Sequence, residues 1–467
     1  MSDSKSTSPK MTRAERQEAG KALRAQVPRE SHGTWAQDAN RPDPISLLQA
    51  QDASRVQRLI PIKYGRMVES PFAFLRGSAV VMASDLSNTP STSLEVQLCG
   101  DAHLSNFGVF ATPERQLVFD INDFDESHPG PFEWDLKRLA ASAVVAGRAN
   151  GFGSNVNRKL ALAAVDFYAE AMRKLSRART LDVWYYHVDA ERVEQAFERS
   201  SKKARKSAQK MIGKARRKTQ EQTLEKLTHW VDGRRRFISD PPLLVPLDEL
   251  LAEQQREQLT EAQMEEMWNQ YLGSLPEERR RLLSRFQITH AALRVGGVGS
   301  VGTKCWILLL EGGAEDDAII LQQKEAGASV LEPYTSDSHY ESPAQRVVQG
   351  QRLTQAASDI FLGWHKGVLT GAHYYWRQLK DMKGSLDVTG LDEEGFETYV
   401  KVCAACLARA HARTGDAAAI SGYIGKGKGL AQAIADFAEA YADQTEQDHQ
   451  ALVEAIESGR VTAETGI

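Results

Sequence analysis

The chain has 467 residues, enough to bury a large core, and its formal net charge of −4 gives no overall bias toward nucleic acid or an anionic membrane. No apolar run is long enough to span a bilayer, and the opening MSDSKSTSPKMTRAERQ lacks the apolar segment of a signal peptide, so a cytoplasmic location is expected. Four cysteines, Cys99, Cys305, Cys403 and Cys406, are too few and too scattered for a disulfide framework.

Residues 1–50 form a polar arm, helix-prone at ERQEAGKALRAQV and turn-rich at RPDP, part of which is expected to be mobile. The most informative stretch follows at 94–126. Leu94, Val96 and Leu98 alternate as a half-buried strand, and residues 100–106 form a polar loop. FGVF and LVFDI read as strands joined by the turn ATPERQ. Paired as a hairpin, they bring Asn106 and Asp123 to one open end, with Asp101 on the loop that feeds it. Two carboxylates and an amide at one place suit a hard cation such as magnesium holding phosphate oxygens. The plainer reading is a surface hairpin with capping Asp and Asn residues.

GPFEWDLKRLAASA is the next helix, and residues 156–290 read almost entirely as helices. Within them, residues 199–218 hold ten lysines and arginines and no acid. That run is either a solvated helix face or a patch for an anionic substrate, nucleic acid or partner. ISDPPLLVPLDEL reads as a rigid Pro-rich connection whose apolar side chains lie beside a cleft. Residues 294–310 then contain Gly297, Gly299 and Gly302 in GxGxxG spacing, with Ser300 inside the loop. A dinucleotide-binding turn with this spacing must run into a helix, whereas CWILLL is short, apolar and rich in strand formers. A glycine loop running into a strand lets backbone N–H groups approach phosphates. The following strand, AIILQQKEA, carries Lys324 near its end, and HYYWRQLKDMKG reads as another strand, with Arg377 and Lys380 as candidate phosphate or substrate contacts. Cys403 and Cys406 form CxxC within VCAACLARAHA, a helical pattern of small residues. No second pair completes a zinc site, so packing is the expected role.

CGDAHLSN, residues 99–106, resembles the catalytic loop HGDxHxxN of the protein-kinase-like superfamily, in particular its aminoglycoside and choline phosphotransferase branch. The resemblance implies that Asp101 accepts the substrate hydroxyl proton and that Asn106 is a magnesium ligand. It further makes Asp123, in NDFDE, the metal-binding Asp of the Asp-Phe-Gly segment, with Asp125 as a neighbouring candidate. His103 takes the place that the small-molecule branch fills with His. Cys99 departs from the pattern, standing where the family usually has His and leaving the anchoring of the loop open. Asp135 matches a residue that braces the loop. By the same resemblance Gly297, Gly299, Ser300 and Gly302 would cover the phosphates of ATP, and Lys324 would pair with the α- and β-phosphates. The helix after Lys324 carries Gln349 and no Glu in its middle, so Glu341 or Glu332 is the expected acidic partner.

Catalytic loop, metal Asp and bracing helix precede the glycine loop and lysine, the reverse of the usual two-lobe order. The implied fold is α+β, a circularly permuted protein-kinase-like fold with a largely helical larger lobe and a small antiparallel β lobe. The expected division is an arm at 1–50, the catalytic part of the larger lobe at 51–180, a helical insertion at 181–285, the β lobe at 286–383 and C-terminal helices at 384–467. The phrases PIKYGRMVESPFAFLRGSA, QKEAGASVLEPY and RVVQGQRLTQAASDIFLGW, together with the motifs above, resemble the bacterial family of domain of unknown function 2252 from about Arg24 to about Asp416. That family name supplies no substrate. The expected activity is ATP- and magnesium-dependent phosphotransfer to a hydroxyl acceptor, a small molecule. The alternatives are AMP transfer, as in selenoprotein-O-like pseudokinases, and a nucleotide-binding module without chemistry. A metallophosphoesterase is suggested by GDAH alone and weakened by the absence of a GNH motif.

Overall fold

A computed structural model of the chain describes residues 11–37, 40–254, 260–314, 316–369, 371–379 and 382–467. Lys380 and residues 1–10 of the arm lie outside the described residues. The fold is mixed α+β, and its sheets are antiparallel.

β1 (Glu95–Leu98) pairs with β4 (His128–Pro131), and β2 (Phe107–Ala111) with β3 (Leu117–Ile121). Phe107 stands opposite Ile121, so the expected hairpin forms with its open end at Asn106 and Asn122. Its turn contains Arg115 at φ 66°. β5 (Val188–Asp189) adds a short third strand alongside β3. This part packs into the main core with the helices Phe132–Ala149, Ser154–Leu175, Glu393–Thr414 and Lys428–Glu457. Every residue of Phe132–Ala149 from Phe132 to Gly147 is buried. A helix covered on all sides needs small residues where neighbours press closest, and alanines recur along it. Cys403 and Cys406 are buried, unpaired residues of Glu393–Thr414, in keeping with a packing role.

The second assembly is a six-stranded sheet in the order β12 (Gly363–Lys366), β13 (His373–Gln378), β11 (Ala318–Ala326), β10 (Cys305–Glu311), β9 (Gln287–Arg294), β8 (Leu244–Pro246). CWILLL is continuously apolar because both faces of the sheet are covered. Ile307 and Leu309 pack with Leu224, Phe237 and Leu379 on one side. Leu308 and Leu310 pack with Tyr271, Leu275 and Trp376 on the other.

Two features differ from the sequence expectations. The stretch 156–290 is interrupted by strands: β5, the hairpin β6 (Thr228–Val231) and β7 (Arg234–Phe237), and β8. Asp232 at φ 48° and Gly233 at φ 74° form the hairpin turn, an Asp-Gly signal between THWV and RRRF. ISDPPLLVPLDEL contains β8 rather than only a connection, and Pro246 is tolerated because β8 lies at the sheet edge. This segment, expected in a helical insertion, therefore supplies a strand to the sheet.

The described part of the arm is docked. Gly20 and Gly422 let the helices Arg13–Ala22 and Ala417–Ile424 approach so closely that a Cβ on either would lie about 2 Å from a backbone oxygen of the other. Arg41, with 5% of its side chain exposed, bridges Asp85 at 2.7 Å and Asp448 at 2.6 Å. Removing one partner of a buried ionic cluster leaves uncompensated charge. Arg41→Ala is expected to lower unfolding free energy by about 3–5 kcal/mol in urea titration. A loss below about 1 kcal/mol would show that the clamp is not what holds the arm.

Candidate functional site

The loop after β1 is fixed through its main chain. Gly100 adopts φ +82°, and a Cβ there would lie 2.2 Å from the carbonyl oxygen of Glu126. The N–H groups of Cys99 and Gly100 donate to the two carboxylate oxygens of Asp135, at 2.7 and 3.0 Å. Asp135 sits in the first turn of Phe132–Ala149, and His411 Nε2 lies 3.3 Å from it. His411 is held in turn by the hydroxyl of Tyr168 at 2.8 Å. Asp135 thus braces the loop, as the resemblance implied, and it does so without help from a His at position 99. Burial raises the pKa of the Cys99 thiol, which stays protonated between Asn106 and the carbonyl of Asp123.

Asn106 joins the loop to the NDFDE segment. Its Nδ2 donates to the carbonyls of Asp101 (3.0 Å) and Asp123 (3.1 Å), and its Oδ1 accepts the Asp123 N–H at 2.8 Å. Asp101 Oδ1 accepts two hydrogen bonds from buried Arg138, at 2.8 and 2.6 Å. The same guanidinium donates to the carbonyl of Leu75. Asp101 Oδ2 lies 3.5 Å from His103 Nε2. Burial lowers the His103 pKa to about 4, leaving the ring neutral at pH 7.

Lys324 comes from the sheet, in register with Cys305 and Tyr375. With only 3% of its side chain exposed, it forms an ion pair with Asp125 and lies 3.7 Å from Asp123 Oδ2. Tyr375 donates its hydroxyl to the other oxygen of Asp125 at 2.8 Å. Burial opposes the charge on Lys324, but Asp123 and Asp125 outweigh it and raise its pKa. Burial likewise opposes ionisation of Asp123, yet Lys324, Arg377 and Lys383 hold its pKa down to about 2.

The acidic partner of Lys324 is therefore not Glu332 or Glu341. Glu332 lies 3.4 Å from Arg346, and Glu341 is exposed. The helix Pro343–Thr354 offers Arg346 to the loop instead, donating to the carbonyls of Ser127, Asp125 and Gly327 at 2.5–2.9 Å.

These groups border one cleft of about 1090 Å³. Asp101, His103, Asn106, Asp123 and Asp125 line it together with Gly297, Gly299, Ser300, Lys324 and Arg377. Ile238, Leu243 and Leu244 also line it, placing the Pro-rich segment beside the cleft as expected. Gly302 is outside the lining. It turns the chain at φ +88°, and its carbonyl accepts the Val56 N–H at 2.8 Å. The glycine loop is held from the helical side by Arg66, which donates to Gly296 at 2.6 Å, and by Arg55, which donates to Gly299 at 2.9 Å.

The sequence reading did not single out Arg138, Arg76, Arg294 or Lys383. Arg294 immediately precedes the glycines, and that position was the available signal. Among the described residues no carboxylate forms an ion pair with Arg294. Also among the described residues, no group of three or more His, Cys, Asp or Glu side chains could hold a metal ion. No described helix is long and apolar enough to cross a membrane.

A family model described as "Uncharacterized protein conserved in bacteria (DUF2252)" matches residues 55–455, and the chain belongs to that family. No curated protein and no solved structure matches it.

Glu126, whose carboxylate accepts the Val330 N–H at 2.8 Å, has its pKa raised by burial from 4.5 to about 7. Between those values the folded state keeps a proton that the unfolded chain has released. Its contribution to stability is therefore present below about pH 4.5 and lost as pH rises through 7. Glu126→Gln should show a smaller fall in Tm between about pH 5 and pH 8 than the parent protein. Superimposable profiles would remove Glu126 as a cause of that pH dependence.

Proposed function

We propose that this DUF2252 chain is an ATP- and magnesium-dependent phosphotransferase acting on a hydroxyl acceptor, built as a circularly permuted protein-kinase-like fold. The observation that carries the reading is the meeting of Lys324 with Asp125 and Asp123, about two hundred residues earlier in the chain, beside the Asp101 loop. Support for the permuted order comes from the same cleft. Its catalytic-loop and hairpin side precedes its sheet and glycine loop in sequence, yet both line one space. In the proposed arrangement residues 51–180 and 384–467 form the larger lobe and residues 286–383 the core of the smaller one.

The triphosphate would lie against the 296–300 loop and Lys324, with Arg294 and Arg377 as further cations lining the cleft. Magnesium would be held by Asp123 and Asn106, and its chemistry is to neutralise charge on the phosphate oxygens. The residues fit such an ion. Asp123 is kept ionised, and 44% of its side chain is exposed. Asn106 Oδ1 accepts one hydrogen bond from a described residue, which leaves a lone pair. Magnesium commonly takes one or two carboxylates with substrate phosphates and water, so a cluster of three acids is not required. Asp125 fits less well because its two oxygens already bind Lys324 and Tyr375.

Arg138 holds Asp101 by Oδ1, leaving Oδ2 to accept the acceptor's hydroxyl proton beside neutral His103. The hydroxyl oxygen forms a bond to the γ-phosphorus as the bond to the β-phosphate oxygen breaks, and ADP departs. The cleft volume exceeds that of an ordinary small-molecule pocket, which suits a nucleotide together with a small acceptor.

Asp101→Ala should reduce ATP turnover on the order of 10²-fold or more while changing calorimetric ATP affinity little, since the residue handles the acceptor proton. Unchanged turnover would overturn its assignment. Asp123→Asn should weaken magnesium-dependent ATP binding in the same titration. A magnesium dependence equal to the parent's would remove Asp123 as the ligand. In a labelling assay, transfer of the γ-phosphorus is expected, whereas transfer of the α-phosphorus would assign AMP transfer.

A further inference from the structure

The segment from residue 199 to 244 is strongly basic and touches the cleft at Lys218 and Lys226. The helix Lys202–Arg217 buries Ala204, Ala208, Met211, Ile212 and Ala215 and packs against Glu393–Thr414 and β2. Its apolar stripe is thus committed to the protein, and every lysine and arginine in the helix is exposed. The chain then reaches the cleft lining at Lys218 and Lys226. It leaves through the β6–β7 hairpin, which carries Arg234, Arg235 and Arg236, and returns to the lining at Ile238. In that hairpin the Arg235 guanidinium lies 4.9 Å above the ring of Trp230, which is 49% exposed. Of these cations, among the described residues, only Arg216 and Arg236 form ion pairs with carboxylates, at 3.4 and 3.3 Å.

We infer that this basic segment is a docking surface for single-stranded nucleic acid. Its extent argues for a polymer: sixteen residues of helix span about 24 Å, whereas a small phosphorylated molecule could reach only one or two turns. With the net charge of the whole chain at −4, the positive field is local to this segment and directional. A row of exposed cations along one helix, followed in the chain by an exposed aromatic ring under Arg235, suits a phosphodiester backbone with bases that stack. A lipid surface fits less well because the basic helix has no uncommitted apolar face to insert. The inference goes beyond the phosphotransfer reading, since binding can be measured without nucleotide.

The test is fluorescence anisotropy of a labelled 20-nucleotide oligouridylate with the full chain at about 50 mM salt, in the absence of ATP. Binding that weakens with salt is expected. A combined Lys203→Gln, Lys206→Gln, Lys210→Gln and Lys214→Gln variant should bind at least tenfold more weakly. Its log–log salt slope should be shallower by about 3, at roughly 0.7 for each phosphate that is no longer neutralised. Trp230→Ala should cost roughly tenfold by removing the stacking platform, and serves as a second variant if the first does not fold. Thermal unfolding midpoints near the parent's would show that both are folded. No binding by the parent protein, full binding by both folded variants, or capture by phosphatidylglycerol vesicles without oligonucleotide binding would each overturn the inference.

Discussion

A lysine ammonium that is almost wholly buried in a sheet must be met by carboxylates, because the desolvated charge would otherwise cost several kcal/mol. Lys324 imposes that requirement on β11, and the NDFDE segment answers it with Asp125 and Asp123. The remaining contacts follow the same join. Tyr375 from β13 fixes the second oxygen of Asp125, and Arg346 satisfies main-chain carbonyls on both sides of the junction. Sheet and hairpin are therefore held in one relative position by charge and hydrogen bonding, while their apolar cores remain largely separate.

On the hairpin side, one face of a single helix carries out the positioning. Asp135, Arg138 and Ser142 are spaced by three and four residues along Phe132–Ala149, so they share a face. Asp135 takes the N–H groups of residues 99 and 100, Arg138 the Asp101 side chain, and Ser142 the Leu104 N–H at 3.1 Å. The loop adopts the shape of that face. This explains why a cysteine is accommodated at position 99: the bracing bonds use its backbone rather than its side chain.

Much of this was legible in the sequence where a local rule and a global one agreed. The 107–121 hairpin, the glycine loop running into a strand, and the placement of Lys324 one strand later all followed from periodicity and turn residues. Asp135 was legible only through resemblance, because nothing in DLKRLA itself reveals which backbone amides its carboxylate will meet. The partner of Lys324 was sought where the resemblance puts a glutamate, on or before the helix that follows, whereas the closing contact spans 199 residues. Arg138 and Arg346 were hidden for a related reason: both occupy helical patterns in which an arginine ordinarily faces water, and only tertiary packing turns them inward. The β6–β7 hairpin was legible in the Asp-Gly pair that follows the strand formers Thr228, Trp230 and Val231, but it was read as part of the long helical stretch in which it lies.

The tethering of the glycine loop by Arg55 and Arg66 has a consequence for selectivity. Glycine-rich backbone ordinarily has wide conformational freedom, and fixing it upon a ligand reduces the observed affinity. Here the carbonyls of Gly296, Gly299 and Val301 are already engaged by two arginines from the helical side of the cleft. The loop therefore meets its ligand as a wall of set position. A pocket bounded in this way discriminates by length and shape among the molecules that enter it, since the wall cannot subside around a smaller one or retreat before a bulkier one without releasing those arginines.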